Sequence, residues 1–414
     1  MWHPFANMAA VSGHEITIVR GHGCMVYDAA GRGYLDAIAS LWYCNVGHGR
    51  TELAQEAARQ MGTLASFHTF ERYSNPPAEQ LCERLAALAP MSSSRVFLTA
   101  GGGSDAVDTA AKLARAYWSA VGRPAKQRIL ARSYAYHGMN AYGTSLGGIP
   151  GNLDAYGPLV TEVGTVAWDD PAALADAIDA TGADRVAAFF CEPVVGAGGV
   201  LLPPAGYLDA VQAICHDRDV LFVVDEVITG FGRLGAWFGA ERLGLQPDLL
   251  VCAKGLTSGY MPLGAVLVSA TVAAPFWEAG TERIFRHGYT YSGHPTACAV
   301  ALANLAIIER EGLLDRARSL EAVLASALEP LRRLAVVAEV RCGLGLLAGI
   351  EIAPERRRAD PDLVARLVSS TRDHGVLTRG LAGRSLQISP PLVISPAQIG
   401  EIAGVLETVL SEAA

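Results

Sequence analysis

Two apolar runs end in side chains that can do chemistry. Val220-Leu221-Phe222-Val223-Val224 stops at Asp225-Glu226, and Leu249-Leu250-Val251-Cys252-Ala253 stops at Lys254. Such Val-rich runs read as strands buried on both faces of a parallel sheet. Ligands in open α/β sheets lie beyond the carboxyl ends of the strands, so both side chains are expected to face a site. A lysine among apolar groups has its ammonium form disfavoured, and its free amine can attack a carbonyl. A carboxylate nearby can hold a proton on a ring nitrogen. Pyridoxal phosphate needs that pair: a lysine to carry it covalently and an acid to keep its pyridinium protonated. The plainer alternative is a surface lysine and a helix-capping aspartate.

Other stretches add to this chemistry. Arg95-Val96-Phe97-Leu98-Thr99 reads as a strand that runs into Gly101-Gly102-Gly103-Ser104-Asp105. A helical pattern follows at Ala106, Val107, Ala110, Leu113, Ala114 and Tyr117. A strand, a glycine loop and a helix N-terminus together make an anion site, because free amides and the helix dipole both favour negative charge. A glycine cluster alone is a weak signal, and a bare turn is the usual reading. Tyr134-Ala135-Tyr136-His137-Gly138 follows the strand Arg128-Ile129-Leu130. No second His or acid lies at ligand spacing, so no metal site is expected there. Leu41-Trp42-Tyr43-Cys44-Asn45-Val46-Gly47-His48-Gly49 sets aromatics beside glycines with no helix or strand period. It reads as a working loop or as a corner of the core.

Val-Val-Asp-Glu-Val-Ile-Thr-Gly-Phe-Gly-Arg-Leu-Gly (223–235), followed by Ala-Lys-Gly-Leu (253–256), resembles the class III aminotransferases. These are the ω-transaminases of the fold type I pyridoxal phosphate enzymes. The resemblance implies that Lys254 carries the cofactor, Asp225 binds its ring nitrogen and Val227 packs on the ring. It implies that Tyr136 stacks opposite, with His137 beside it in the cofactor site. Gly103-Ser104, followed by Asp105, matches the family's phosphate-binding pair, although Ala-Gly-Gly stands where Asn-Ser is frequent. Leu41 and Trp42 take the family's place at the substrate entrance, and Phe70 lies where another pocket aromatic occurs. Tyr289 and Thr290 match the residues that reach the phosphate of the neighbouring subunit. A homodimer with shared active sites follows, possible also as a dimer of dimers. An arginine shortly before Pro390-Pro391 binds the carboxylate of the keto acid in this family. Arg379 fits that role, with Arg384 as the rival. Members that use glutamate carry an acid where Ala197 stands, so the resemblance tilts towards ω-amines and ω-amino acids as donors. Glu192 is assigned a structural hydrogen-bonding role. The activity implied is transamination between such a donor and a small keto acid such as pyruvate. The alternatives are a racemase or aminomutase on the same cofactor, a nicotinamide oxidoreductase, or a non-catalytic binding protein.

The elements that must position these residues give an α/β fold. A mostly parallel central sheet is expected in a large cofactor domain over 51–300. A smaller α+β domain is expected from 301–414 with the N-terminal segment 1–50. Gly343-x-Gly345-x-x-Ala348 follows a strand but runs on as another, so it reads as a hairpin and not as a dinucleotide fingerprint. Hydrophobic residues make up 51% of the 414 and charged ones 18%, which argues against disorder. The net charge of −8, with no basic run interleaved with aromatics, argues against nucleic acid. Eight scattered cysteines without a Cys-x-x-Cys pair read as reduced thiols in a cytoplasmic protein. The first residues lack the basic and apolar regions of a signal peptide. The longest apolar stretch, 297–308, is broken by Asn304 and is too short for a bilayer, so no membrane partner is expected.

Overall fold

The computed structural model describes residues 1–413 apart from 93, 155, 157, 158 and 281. The N-terminal strands are β1 (Ile18–His22), β2 (Met25–Asp28) and β3 (Gly33–Asp36). Then come β4 (Arg95–Thr99), β5 (Arg128–Arg132), β6 (Val163–Val166), β7 (Val186–Cys191), β8 (Leu221–Asp225), β9 (Leu249–Cys252) and β10 (Gly264–Val268). The C-terminal strands are β11 (Val337–Arg341), β12 (Ala348–Ile352), β13 (Val376–Leu377), β14 (Gly380–Leu381) and β15 (Ser385–Ile388).

The sheet that organises the chain has the order β4-β10-β9-β8-β7-β5-β6. The pairs β9/β8, β8/β7, β7/β5 and β5/β6 are parallel. β10 is antiparallel to both of its neighbours. Two reversals restore direction, so β4 points the same way as β9. The carboxyl ends of β4, β5, β7, β8 and β9 therefore open on one edge.

Alternation along each strand divides the core in two. Leu221, Val223, Leu249 and Val251 pack against Ala106, Val107, Ala110 and Leu113 of the helix Gly103–Ala120. Phe222, Val224 and Leu250 turn to the other side, with Tyr207, Leu208 and Val211 of the helix Tyr207–Asp217. All of β8 and β9 is buried, as a sheet covered on both faces requires. Each such apolar side chain contributes roughly 1.5–3 kcal/mol on burial.

Two smaller sheets complete the fold. β13 pairs in parallel with β3, Val376 with Leu35 and Leu377 with Asp36, so both ends of the chain share a sheet. β11 and β12 form an antiparallel hairpin around Gly343 and Gly345 and continue through β15 to β14. One buried arginine ties these parts to the large sheet. Arg233, in the loop after β8, donates to the carbonyls of Leu346 at 2.9 Å and Pro390 at 2.7 Å. It also donates to Asn45 Oδ1 at 3.0 Å, and burial lowers its pKa to about 10.

Arg233→Met should fold but lose stability on the order of 3 kcal/mol or more, because it leaves three buried acceptors unpaired. Denaturant unfolding of the two proteins would measure it. A difference under about 1 kcal/mol would mean that the junction is held elsewhere.

Candidate active site

The site begins where β8 ends. Asp225 and Glu226 are adjacent, and strand alternation sends them apart. Glu226 turns into the fold and accepts from the amides of Gly239 at 2.9 Å and Ala240 at 2.6 Å and from the Thr229 hydroxyl. Burial pushes its carboxyl up to about 7. Asp225 faces the cavity edge. Its Oδ1 accepts from the Val227 amide at 3.0 Å and its Oδ2 lies 2.8 Å from His137 Nδ1. His137 is buried at the turn after β5, and its Nε2 has no partner among the described residues.

Lys254 follows β9, three residues past Val251, the register partner of Asp225. It opens a short 3-10 turn, Lys254–Leu256, with φ of +45°. Its ammonium Nζ lies 5.3 Å from the centre of the Trp42 ring. Burial lowers its pKa from the ordinary 10.5 to about 8, against the pull of the Asp225 and Glu192 charges. Arg379 adds to the lowering. The side chain is covered from bulk solvent, and its remaining exposed surface belongs to a cavity of about 720 Å³.

Asp225, Tyr136, Val227, Leu41, Trp42 and Arg379 line the same cavity. Gly101, Gly102, Gly103 and Ser104 form another wall, at the N-terminus of the helix Gly103–Ala120. The amides of Gly103 and Ser104 have no acceptor among the described residues, while Asp105 folds the loop. Asp105 Oδ2 accepts from Gly101 N at 2.7 Å and Oδ1 from Asn140 Nδ2 at 2.9 Å. A Cβ on Gly103 would stand 2.8 Å from Val227 Cγ1, and one on Gly138 would stand 2.8 Å from Ser104 Cα. Those two glycines let the phosphate-type loop close on the cavity.

Glu192, at the end of β7, gives both oxygens to backbone amides, Tyr136 N at 3.3 Å and Gly196 N at 3.0 Å. Burial raises its carboxyl pKa. The two candidate arginines part company. Arg384 Nε sits 3.0 Å from both oxygens of Glu351, outside the cavity. The Arg379 guanidinium makes no hydrogen bond or ion pair among the described residues, and burial lowers its pKa. Ala197 also lines the cavity and offers Arg379 no acid.

Three expected site residues are not gathered into this cavity. Phe70 is 47% exposed and lies beside Gly288. Thr290 is exposed on the same segment. Tyr289 donates its hydroxyl to the Asp105 carbonyl at 3.0 Å, on the helix behind the loop. Phe70 and Thr290 are thus exposed, while Tyr289 is partly buried against that helix. Conversely, Pro4, Phe5, Ile149 and Asn152 stand at the cavity without having been expected there. No motif marks them, since loops distant in sequence bring them in. The Asp225–His137 contact was likewise hidden: 88 residues separate its members. Among the described residues no cluster of His, Cys, Asp and Glu could hold a metal ion.

The model of the class III aminotransferase family matches residues 8–410. A probable aminotransferase of Mycobacterium tuberculosis is 40% identical, covering 100% of this chain and 93% of its own. The putrescine–pyruvate aminotransferase of Pseudomonas aeruginosa is 37% identical over 96% of this chain and 91% of its own. An amine transaminase from an uncultivated Pseudomonas species, solved in its pyridoxal phosphate-bound form, superposes with a TM-score of 0.94. It is 37% identical, with 100% of this chain and 99% of that one covered. The chain belongs to the class III aminotransferases, with the fold type I architecture, and it is an aminotransferase. Aminotransferases of this class depend on pyridoxal phosphate. The residues present fit that group: a buried amine whose pKa burial lowers, a buried carboxylate, open amides at a helix N-terminus and an indole Nε1 of Trp42 without a partner. Among the described residues no helix is long and apolar enough to cross a membrane.

Lys254 gives the cofactor-free protein a pH signature. Its ammonium titrates near 10.5 in the unfolded chain and near 8 in the folded one. Between those values the unfolded chain binds more protons, so stability rises with pH. Lys254→Met, free of cofactor, should therefore be the more stable protein at pH 7, by up to roughly 3 kcal/mol. That gain should shrink above pH 8 and vanish by about pH 10.5. Urea unfolding across that range measures it, and parallel curves would show that the amine is not desolvated.

Proposed function

We propose that this cavity binds pyridoxal phosphate and moves an amino group from an ω-amine or ω-amino acid to a small keto acid such as pyruvate. The observation that carries the reading is Arg379: a mostly buried cation without an internal partner, facing the same cavity as Lys254 and Asp225. An arginine already paired with a protein carboxylate would have to break that pair to read a substrate. With Ala197 in place of an acid, Arg379 is open to the carboxylate of the keto acid and is free to stand aside for an amine without one. The similarity to a putrescine–pyruvate enzyme supports the same donor and acceptor classes.

Pyridoxal phosphate supplies an aldehyde that takes up the amino group and an electron-poor ring that accepts electrons as a C–H bond breaks. The chain's residues do the rest. The amides of Gly103 and Ser104 receive the phosphate. Val227 and Tyr136, both in the cavity wall, would pack against the flat ring, and an aromatic face suits an electron-poor one. Asp225, oriented by His137 and the Val227 amide, holds the proton on the ring nitrogen. Lys254 Nζ would hold the cofactor and, once released, would be the base that takes the proton from the amine-bearing carbon and returns it one position away. Leu41 and Trp42 wall the site from water.

Phe70, Ile284, Thr290 and Tyr291 are exposed on one side of the chain. Exposed apolar groups of this kind mark an interaction surface. In our reading a second copy covers it, and Phe70, Tyr289 and Thr290 complete the partner's site. All eight cysteines are free, which agrees with a reducing, cytoplasmic setting.

Arg379→Ala should spare carboxylate-free amines and cut efficiency with pyruvate. A charge-assisted hydrogen bond is worth roughly 1.5–3 kcal/mol, so the loss should be about ten- to a hundred-and-fifty-fold. Steady-state assays with each substrate varied decide it. Equal losses on both sides would remove Arg379 from carboxylate recognition.

The shared site has its own test. Lys254→Ala and Thr290→Ala subunits are mixed after dissociation and reassociation at limiting cofactor. If Thr290 acts across the interface, each mixed dimer holds one doubly damaged site and one intact site. The mixture should then exceed the summed activities of the separate variants. If Thr290 serves its own chain, no mixed dimer has an intact site. Mixed dimers confirmed by mass but without added activity would refute the sharing.

A further inference from the structure

Backbone strain gathers in the turn that carries Leu41 and Trp42. Ala39, Ser40 and Trp42 have φ values of 46°, 60° and 63°. Ser40 combines its φ with a ψ of −93°, a pairing outside the regions open to residues with a Cβ. Glycine adopts such angles freely, and a residue with a Cβ does not. Non-glycine residues persist there only where their surroundings over-determine them.

Asp36, at the end of β3, supplies that determination. It is 1% exposed and does not line the cavity. Its Oδ1 accepts from Ile38 N at 3.1 Å and its Oδ2 from Ser40 N at 2.8 Å. His48 Nε2 lies 2.8 Å from the same Oδ2. One carboxylate thus gathers amides from both sides of Ala39. Its own backbone is fixed, because Asp36 N donates to Cys24 O at 2.8 Å and Ala37 N to Leu377 O at 3.2 Å. Leu377 lies in β13, two residues before Arg379. The turn closes when Trp42 N donates to Ile38 O at 3.0 Å, and the indole then stands 5.3 Å from Lys254 Nζ.

We propose that Asp36, clamped by His48, is a positioning residue that sets which amines the cavity accepts, by holding the Ala39–Trp42 turn in its strained form opposite Lys254. The inference rests on reading the cavity as the amine site. It makes strain and clamp interdependent. Without the carboxylate the turn relaxes and the Trp42 wall moves. With glycine at position 40 there is less strain to hold, and the clamp matters less.

The test compares the parent with Asp36→Asn, His48→Ala, Ser40→Gly and the double variant Asp36→Asn/Ser40→Gly. As holoenzymes of equal cofactor content, each is assayed with pyruvate and two donors of different bulk, isopropylamine and 1-phenylethylamine. Asp36→Asn should shift the ratio of the two kcat/KM values about tenfold or more, mainly through KM. His48→Ala should shift it less and in the same direction. The double variant should return to within about threefold of Ser40→Gly. In the cofactor-free proteins, amide exchange over residues 38–44 should quicken about tenfold in Asp36→Asn, with the rest of the chain unchanged. Should Asp36→Asn not accumulate as folded protein, His48→Ala carries both measurements. An unchanged donor ratio, a flat exchange profile, or a ratio shift that Ser40→Gly does not restore overturns the proposal. A parent that transfers no amino group yet shows the exchange difference refutes the amine reading and upholds the clamp.

Discussion

A sheet covered on both faces has no room for polar chemistry along its strands. Every residue of β7, β8 and β9 is buried, so the chain places its carboxylates and its amine at the last strand position or just past it. Glu192, Asp225 and Lys254 stand at three neighbouring ends for that reason. Burial there is incomplete enough to admit a ligand and complete enough to strip water from Lys254. Its amine is lowered to about 8, and the negative charges of Asp225 and Glu192 keep it from falling further. The antiparallel β10 belongs to the same logic. By restoring the direction of β4, it delivers the helix N-terminus at Gly103 to the edge where the acid and the amine already are.

Much of this was legible in the sequence, because the signals are local. An apolar run that ends in Asp225 or Lys254, and a strand that enters Gly101-Gly102-Gly103-Ser104, declare their geometry within ten residues. The hidden parts depend on which side chain turns which way. Spacing alone does not choose between Arg379 and Arg384. In the fold Arg384 lies on Glu351, a carboxylate that also binds Arg341, while Arg379 is left to the cavity. Nor does a sequence show that His137 meets Asp225, since β5 and β8 become near neighbours only through β7. The resemblance gathered Phe70, Tyr289 and Thr290 into one site. In the single chain Phe70 and Thr290 are exposed and Tyr289 is tied to the Asp105 carbonyl, so none of the three lines the cavity. The strained turn at Ser40 was out of reach altogether. A serine with left-handed φ looks like any other serine until its backbone is seen.

The charges of the cavity also couple its two tasks. Arg379 and Lys254 are both cationic when protonated, and each disfavours the charge of the other. The charges of Asp225 and Glu192 act on Lys254 more strongly than Arg379 does and in the opposite direction, so Arg379 is a lesser influence on the amine. Asp225 is engaged with His137 and the Val227 amide, and Glu192 with the amides of Tyr136 and Gly196. A substrate carboxylate placed on Arg379 cancels the guanidinium's field, and the amine beside it becomes a stronger base. A donor without a carboxylate leaves the field in place and the amine weaker. In the role we propose for Arg379, one arginine both reads the substrate and, through space, acts on the base beside it.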